Sequence, residues 1–276
     1  MFRLLIAASV MLCAAASALW AQDRPLEMLE SGFQAQGWEG VGRLDIGAGG
    51  VCTGALISDK LVLTAAHCLF DRDTGARVPD DQVLFRAGLR NGRAAAEAQV
   101  IRSVVHPRYN PGAGVSLENV SHDLALLELT FPIRTMGVRP FAVYAEPRRG
   151  DQVGVVSYGR GRLQAPALQE SCRVLERDRT GVLMMSCSVD FGSSGAPVFS
   201  LTQGTPHIVS VVSAKARGAV AGGIEDVSLG VALGPQLDVL RAALDARDRR
   251  FVQVPTAAST GPREMSAGGG ARFLRP

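Results

Sequence analysis

Three separate segments of the chain carry side chains that together could perform acyl transfer. Residues 63–68 read Leu-Thr-Ala-Ala-His-Cys, residues 122–127 read His-Asp-Leu-Ala-Leu-Leu, and residues 190–198 read Asp-Phe-Gly-Ser-Ser-Gly-Ala-Pro-Val. A serine hydroxyl becomes an effective nucleophile when a neighbouring imidazole takes its proton. The imidazole in turn needs a carboxylate, which fixes its tautomer and stabilises its charged form. Each segment alone is also typical of an ordinary loop, so the hypothesis depends on all three together.

The elements that must position these segments are mostly strands. Residues 51–57 and 60–64 are rich in apolar side chains and flank Ser58-Asp59, which is a hairpin signal. Many short strands without intervening helices favour an antiparallel sandwich or barrel. One helix is predicted over 235–247, because Pro235 suits a first turn and three leucines follow at helical spacing. Further strands are predicted at 99–105, 124–129, 152–158, 197–199 and 208–214.

The composition excludes two broad classes of protein. Apolar residues make up 47% of the 276 residues and the net charge is +3, which argues against a predominantly disordered chain. The 29 basic residues are nearly balanced by 26 acidic ones. No field of one sign therefore builds up that would attract a phosphate backbone, and we expect no nucleic-acid partner.

The first 21 residues are predicted to be a secretory signal peptide. Arg3 precedes an apolar run over 4–16, and small residues follow before the first acid, Asp23. Cleavage is expected after Ala18 or after Ala21. An uncleaved membrane anchor is the alternative, although an alanine-rich run is marginal for a span that needs about 20 apolar residues. The first interpretation implies an exported protein, periplasmic or extracellular, without a stable membrane span.

Four cysteines remain after removal of a signal peptide that carries Cys13, and an even number in an exported chain predicts two disulfides. Four cysteines allow three connectivities. Short loops favour Cys52–Cys68 and Cys172–Cys187, each contributing about 3 kcal/mol through chain entropy. Metal binding is the competing interpretation, but the sequence lacks a Cys-x-x-Cys pair and a histidine cluster, so no metal is expected.

Together, the three segments resemble those of the chymotrypsin-like, or trypsin-fold, serine peptidases. Leu-Thr-Ala-Ala-His-Cys is similar to the histidine motif of that family and Asp-Leu-Ala-Leu-Leu to its aspartate motif. Gly-Ser-Ser-Gly-Ala-Pro is a variant of its Gly-Asp-Ser-Gly-Gly-Pro serine motif. The resemblance covers residues 38–247 and implies a secreted serine endopeptidase that acts on proteins or peptides as a monomer, without a cofactor.

The resemblance also implies a role for each residue of the motifs. His67 would be the general base and acid, Asp123 would orient and stabilise it, and Ser194 would be the nucleophile. The backbone N–H groups of Gly192 and Ser194 would form the oxyanion hole. Ser193 is the rival nucleophile, but it aligns with the aspartate of the family motif, and a glycine directly after Ser194 fits the tight turn.

The implied fold is all-β, with two antiparallel six-stranded β-barrels, the site in the cleft between them, and a C-terminal α-helix. His67 and Asp123 would come from the first barrel and Ser194 from the second. The resemblance also implies the Cys52–Cys68 disulfide beside the histidine. The predicted organisation is a signal peptide (1–21), an N-terminal segment (22–37), a first barrel (38–136), a second barrel with the helix (137–247) and a disordered tail (248–276).

Two residues that precede Ser194 are candidates for the side chain that sets specificity in the primary pocket. Ser188, six residues before it, stands where the family usually sets specificity. Asp190 could instead turn into the pocket and select Arg or Lys, or it could support the loop at the rim. Loop geometry does not follow from spacing, so both possibilities stay open.

The segment 209–215 resembles the strand edge that pairs with substrate backbone. Ser213 would then lie near Asp123. Lys215 stands where the family usually has glycine, which would narrow the cleft or favour acidic substrates. Structural rather than catalytic roles are expected for the remaining histidines, His106, His122 and His207.

The chain departs from the family pattern at Ser193. In the animal digestive members an aspartate at this position forms a buried salt bridge with a newly cut N-terminus. The Ile-Val-Gly-Gly start that supplies this N-terminus is absent from the region around 24–27. Secreted bacterial members also lack this salt bridge, and the chain resembles them more closely, so we expect activity without an N-terminal cut beyond signal removal.

A different class of function remains as the alternative. A catalytically silent trypsin-fold protein could act as a binding or scaffolding module, and the altered Ser193 position favours this interpretation. Against it stands the intact set of His67, Asp123 and Ser194, which a binding module has no need to keep.

Overall fold

The computed structural model describes residues 25–252, apart from 145–146, 202–203 and 221–222. The predicted signal peptide and the predicted tail beyond residue 252 lie outside these residues. The strands are β1 (Glu27–Met28), β2 (Val41–Ile46), β3 (Gly50–Leu56), β4 (Leu61–Thr64), β5 (Val83–Ala87), β6 (Ala96–Val105), β7 (Ala125–Leu129), β8 (Ala142–Val143), β9 (Gln152–Gly159), β10 (Arg162–Arg177), β11 (Leu183–Met185), β12 (Pro197–Ser200), β13 (His207–Val220) and β14 (Gly223–Ala232). The α-helices are α1 (Leu117–Val120) and α2 (Gly234–Val252), and short 3-10 turns lie at Ala66–Leu69 and Asp80–Gln82.

The first barrel closes in the order β2-β3-β4-β7-β6-β5, with every pair antiparallel. Its strands are rich in aliphatic residues, and the barrel interior holds fully buried Leu44, Phe85 and Leu126. Burial of such side chains is the main free-energy gain that offsets the entropy lost in ordering the strands. The predicted hairpin at Ser58-Asp59 joins β3 to β4, as expected.

The second barrel contains β9 to β14 and closes where β9 pairs with both β12 and β10. The β1 strand adds to β10, and β8 pairs in parallel with β13. The predicted all-β fold with two six-stranded antiparallel barrels is therefore confirmed.

The C-terminal helix α2 follows the second barrel but packs against β6 and β7 of the first. Its buried residues Leu237, Leu240 and Leu244 share one face, as the leucine spacing predicted. The helix ends five residues beyond the predicted end at 247, and the sequence has no glycine or proline over 248–252 that would stop it. Within the described residues, no helix combines the length and apolarity needed to cross a membrane.

The structure contains the disulfides Cys52–Cys68 and Cys172–Cys187, which are the two short-loop pairs. The first joins β3 to the 3-10 turn that carries His67. The second joins β10 to the segment that leads from β11 towards Ser194. Each disulfide therefore restrains a segment next to one of the predicted site residues.

Candidate active site

His67 and Asp123 meet because their strands are neighbours in the first barrel. His67 lies in the 3-10 turn directly after β4, and Asp123 lies two residues before β7. The β4 and β7 strands pair antiparallel, so the end of one lies beside the start of the other. Asp123 Oδ2 is 2.7 Å from His67 Nδ1, and Asp123 Oδ1 accepts the backbone N–H of His67 at 2.8 Å. These contacts leave Nε2 as the ring nitrogen that could exchange a proton.

Asp123 is buried, with only 3% of its surface exposed, and it has a third partner from the other barrel. The hydroxyl of Ser213 on β13 donates to Asp123 Oδ2 at 2.5 Å. A buried carboxylate is costly unless its oxygens accept hydrogen bonds, and here three donors supply them. Ser213 therefore lies next to Asp123, as the resemblance implied.

The loop that carries Ser194 belongs to the second barrel but is hydrogen-bonded to Thr53 of the first. The backbone N–H of Thr53 donates to the carbonyl of Ser194 at 2.8 Å. The Thr53 hydroxyl donates to the carbonyl of Gly192, also at 2.8 Å. Sequence reasoning did not single out Thr53, because a threonine inside a strand carries no signal of a contact with a distant loop.

Gly195 brings this loop against the end of β4. Its φ of +78° is a conformation that L side chains rarely adopt. A Cβ at this position would lie 2.0 Å from Thr64 Oγ1, so only glycine allows the approach. Since Thr64 precedes His67 by three residues, this approach joins the Ser194 loop to the segment that carries the histidine.

The backbone N–H groups of Gly192 and Ser194 are the predicted oxyanion donors. Gly192 has a φ of +97°, and the carbonyls of Gly192 and Ser194 both accept hydrogen bonds from Thr53. Within the described residues, no carbonyl accepts the N–H of Gly192 or of Ser194. An N–H on a nucleophilic serine and another two residues before it can together stabilise an oxyanion in acyl transfer.

Ser193 is fully buried in a hydrogen-bonded cluster at the base of this loop. Its Oγ lies 3.1 Å from Nη2 of Arg162 and 3.2 Å from both Ser157 Oγ and the carbonyl of Tyr158. Arg162 also donates to the carbonyl of Ser157. Burial lowers the pKa of Arg162, and nearby Asp190 opposes this shift. A buried hydroxyl with these partners favours half-buried Ser194 over Ser193 as nucleophile.

Ser188, Asp190 and Lys215, which were also predicted to set specificity, each contact a different partner. Ser188 is exposed, and its N–H donates to Gln169 Oε1 at 2.7 Å. Asp190 is also exposed, and its Oδ1 accepts the N–H of the next residue at 2.7 Å. Lys215 Nζ lies 3.0 Å from an oxygen of Asp226, which offsets its charge. Of the four predicted residues, only Ser213 is in direct contact with Asp123.

Two pockets flank His67. One, of about 480 Å³, is lined by Tyr109, Val120, Asp123, Ser213 and Ala214 among others. The other, of about 470 Å³, lies beside the Cys52–Cys68 disulfide and Gly192. His67 and Phe191 line both pockets. The histidine therefore lies in a continuous cleft, with room on either side for an extended chain.

A metal ion does not fit the atoms around His67. Cys52, His67 and Cys68 bring three potential ligand atoms within 4.8 Å of one another. Metal-binding cysteine is a thiolate. Both sulfur atoms here are joined to each other in a disulfide, so this group does not supply thiolate ligands.

His106 and His122 are stacked behind Asp123, with ring centroids 4.8 Å apart. His106 Nδ1 accepts the N–H of Arg108 at 3.3 Å, and His122 Nδ1 lies 2.8 Å from the carbonyl of Glu118. Both histidines are buried, with 3% and 4% of their surface exposed. They have no contact with Ser194, which is consistent with the structural role predicted for them.

Acidification is expected to destabilise the fold through His106. Burial and repulsion from His122 lower the pKa of His106 from 6.5 to about 4. The unfolded chain therefore binds the proton first, so this contribution to stability is complete above pH 6.5 and is lost as the pH falls towards 4. His106→Asn keeps an acceptor for Arg108 but cannot titrate. Urea unfolding of both proteins across this pH range should show a smaller loss of stability for the variant, and an identical loss would contradict the assignment.

Comparisons with known proteins identify the family of this chain. A model of the trypsin-like peptidase domain family matches residues 52–206. Human Kallikrein-10 is 39% identical over 113 residues, which cover 39% of this chain and 38% of the relative. The serine protease snk of Drosophila melanogaster is 34% identical over 134 residues, which cover 47% of this chain and 28% of the relative. The alignments thus span well under half of these relatives' length. The chain belongs to the trypsin-like peptidase domain family.

Solved structures show the same fold. A Glu endopeptidase in complex with MPD has a TM-score of 0.59 and 18% identity, and the match covers 75% of this chain and 90% of that one. The protease Anisep from Arthrobacter nicotinovorans also has a TM-score of 0.59 and 18% identity, with 75% and 96% covered. At this identity the likeness shows the two-barrel architecture alone.

Proposed function

We propose that the chain is an exported serine endopeptidase that hydrolyses peptide bonds with Ser194, His67 and Asp123. The observation that carries the proposal is the pair of hydrogen bonds that fixes His67 on buried Asp123, at 2.7 Å and 2.8 Å. A histidine held in this way through Nδ1 presents its other nitrogen as a base. The Ser194 loop packed against Thr64 adds the nucleophile that such a base would activate.

In the proposed first half-reaction, Ser194 Oγ attacks the carbonyl carbon of the scissile bond while His67 takes its proton. The new positive charge on the imidazole lies against the Asp123 carboxylate, which stabilises it. The carbonyl oxygen becomes negative and accepts hydrogen bonds from the N–H groups of Gly192 and Ser194. His67 then gives the proton to the leaving amine, and the acyl group stays on Ser194.

In the second half-reaction, water takes the place of the leaving amine. His67 removes a proton from the water as it attacks the acyl carbon, and the same two N–H groups bind the second oxyanion. Collapse of this intermediate breaks the bond to Ser194 Oγ, which regains its proton from His67. The carboxylic acid product leaves, and the site returns to its starting state.

Substrate is proposed to pair with the edge of β13 near Ser213, because Ser213 and Ala214 line the cleft beside His67. Proteins and peptides are therefore the expected substrates. For Asp190, its contact with the N–H of Phe191 favours support of the loop over selection of basic residues. The two disulfides support export, since such bonds persist in oxidising compartments.

Activity is proposed to need no N-terminal cut beyond signal removal. Arg162 contacts Ser193 and Ser157, and these internal hydrogen bonds restrain the loop that in other members depends on an N-terminal salt bridge. The Ser193 N–H also donates to the carbonyl of Asp190 at 2.8 Å. Residues of the second barrel therefore hold the loop around the proposed oxyanion hole, in addition to Thr53 of the first barrel.

Loss of the Arg162 side chain is expected to lower kcat more than it raises KM. Arg162→Met removes the donor to Ser193, which loosens the loop that presents the two oxyanion N–H groups. We expect kcat to fall about 10-fold to 100-fold, less than when an oxyanion donor is removed outright. Steady-state kinetics would measure this, and Arg162→Lys should restore part of the rate. An unchanged kcat with only a lower Tm would mean that Arg162 serves stability alone.

The proposal is tested by labelling the purified protein with a fluorophosphonate probe and mapping the adduct by peptide mass spectrometry. Such probes react with a serine only where a base and an oxyanion hole activate it. Attachment at Ser194, with hydrolysis of a peptide library, is the expected result. Absence of labelling in well-folded protein would favour the alternative, a silent binding or scaffolding module.

A further inference from the structure

Phe191 has a large apolar side chain that is exposed to solvent at the centre of the cleft. Its side chain is 55% exposed, although exposed aromatic rings lose the free energy that burial would provide. The guanidinium carbon of Arg160 lies 4.3 Å from the centroid of the ring, and that of Arg72 lies 5.2 Å from it. Both distances are within the range of cation–π contacts. One aromatic ring thus places two positive charges next to His67.

The two arginines come from opposite barrels, and each lies on a short ordered loop. Arg160 belongs to the two-residue turn between β9 and β10, where Gly159 and Arg162 pair. Arg72 belongs to the loop 71–76, which closes through a hydrogen bond of 2.8 Å from the N–H of Asp71 to the carbonyl of Ala76. Since both loops are short and hydrogen-bonded, little conformational entropy would be lost when a ligand binds these guanidinium groups.

The charges of Arg72 and Arg160 are not offset by an ion pair. Within the described part of the chain, no carboxylate lies within 4 Å of either guanidinium. The pocket of about 470 Å³ beside them also contains two acids, Asp71 and Asp73. Asp71 Oδ1 is turned into its own loop, where it accepts the N–H and hydroxyl of Thr74 and the N–H of Asp73. Exposed Asp73 accepts no such hydrogen bonds from its loop, so its carboxylate is the freer of the two acids to compete for the arginines.

The position of this pocket indicates which part of a substrate would reach it. Ser213 and Ala214 of β13 line the other pocket, where the acyl half of the substrate is proposed to pair. Arg72 and Phe191 line both pockets, whereas Arg160, Gly192 and the Cys52–Cys68 disulfide line only the pocket on the other side of His67. Relative to the bond that is cleaved, this is the side of the leaving amine.

We propose that Arg72, Phe191 and Arg160 form a subsite for a carboxylate on the leaving-group side of the scissile bond. The inference rests on the proposed peptidase function and adds a substrate preference to it. Guanidinium groups bind carboxylates through paired, charge-assisted hydrogen bonds, and Phe191 holds both in place. The carboxylate comes from an acidic side chain one or two residues after the cleaved bond, or from a free chain terminus at that point.

The test uses quenched peptides that share one acyl half and carry Asp, Asn or Lys at the first or second position after the scissile bond. We expect kcat/KM to be about tenfold higher for the Asp peptide than for the Asn peptide, and lowest for the Lys peptide. High salt should reduce these differences, because it screens the charges. The double variant Arg72→Gln/Arg160→Gln should abolish this preference. Asp73→Asn should increase it, because it removes the competing carboxylate.

Two controls separate this inference from the proposed function. A nitrophenyl ester of the same acyl half lacks a leaving peptide, so its hydrolysis by the wild-type protein reports the proposed peptidase chemistry without the subsite. Arg134→Gln changes an exposed arginine that lines neither pocket and should leave the Asp preference intact. Equal kcat/KM for Asp and Asn at both positions, with normal ester hydrolysis, would overturn the subsite while the peptidase function stands.

Further measurements identify the source of the carboxylate and remain informative if hydrolysis fails. Peptides that end in a glycine with a free carboxylate, compared with the same peptides as amides, test the chain terminus as the source. Binding of fluorescent Asp and Asn peptides to the Ser194→Ala variant, measured by anisotropy, needs no turnover. Tighter binding of the Asp peptide supports the subsite, and equal binding overturns it.

Discussion

Replacing Ser194 with alanine is expected to lower kcat about a millionfold. Without the hydroxyl no acyl-enzyme forms, and what remains is binding of the carbonyl by the N–H groups of Gly192 and the residue at 194. Those groups should leave a residual rate about a thousandfold above the rate in water. Among the residues that the structure describes, the Ser194 side chain has no hydrogen-bond partner, and Thr53 holds the loop through the Ser194 carbonyl. We therefore expect the variant to keep its Tm.

The matched control is Ser193→Ala, one residue earlier. Ser193 is fully buried, and its hydroxyl contacts Arg162 and Ser157, so its loss should cost about 1–3 kcal/mol of stability. Its kcat should fall far less than that of Ser194→Ala. Kinetics and thermal melts should therefore give opposite patterns: Ser194→Ala loses rate and keeps its Tm, whereas Ser193→Ala loses stability and keeps far more of its rate. The reverse pattern would identify Ser193 as the nucleophile.

Much of the site could be predicted because its signals are local in the sequence. His67 and Asp123 each lie within a short motif at a strand end, and β4 and β7 carry the aliphatic runs that predicted them. The short-loop disulfides followed from spacing in the same way. Such features depend on residues within a few positions of one another, and those are the interactions that a sequence displays directly.

The contacts between residues far apart in the sequence could not be predicted in this way. Thr53 contacts residues 139 positions away, and Arg162 contacts Ser193 across 31 positions. Neither residue type indicates a distant partner. Strand β10 was also missed, because half of its residues are polar or charged and Pro166 lies within it, and proline argues against a strand interior. The structure accommodates it with a register shift between Arg162 and Ala167, so a long-range pairing overrides the local signal.

Replacing Asp123 with asparagine is expected to lower kcat about 10⁴-fold while leaving the fold intact. Asp123 accepts from the N–H of His67, from His67 Nδ1 and from the hydroxyl of Ser213. Asparagine has the same shape, but one of its two polar side-chain atoms is the nitrogen of an NH2 group, which is a hydrogen-bond donor. The amide NH2 group must face either the backbone N–H of His67 or its imidazole. The imidazole can adapt, because it can carry its proton on Nε2 instead of Nδ1. His67 would then present a protonated nitrogen to Ser194 and could not act as a base.

Ser213→Ala separates this tautomer effect from a general loss of contacts at Asp123. It removes one of the three donors to the carboxylate but leaves both hydrogen bonds to His67 in place. We expect kcat to fall about tenfold, roughly what loss of one hydrogen bond to a charged group costs. The difference of about a thousandfold between the two variants would then measure what the charge and tautomer control of Asp123 contribute to the reaction. Similar losses in both variants, at unchanged Tm, would mean that the hydrogen-bond network as a whole, rather than the ionised carboxylate, positions His67.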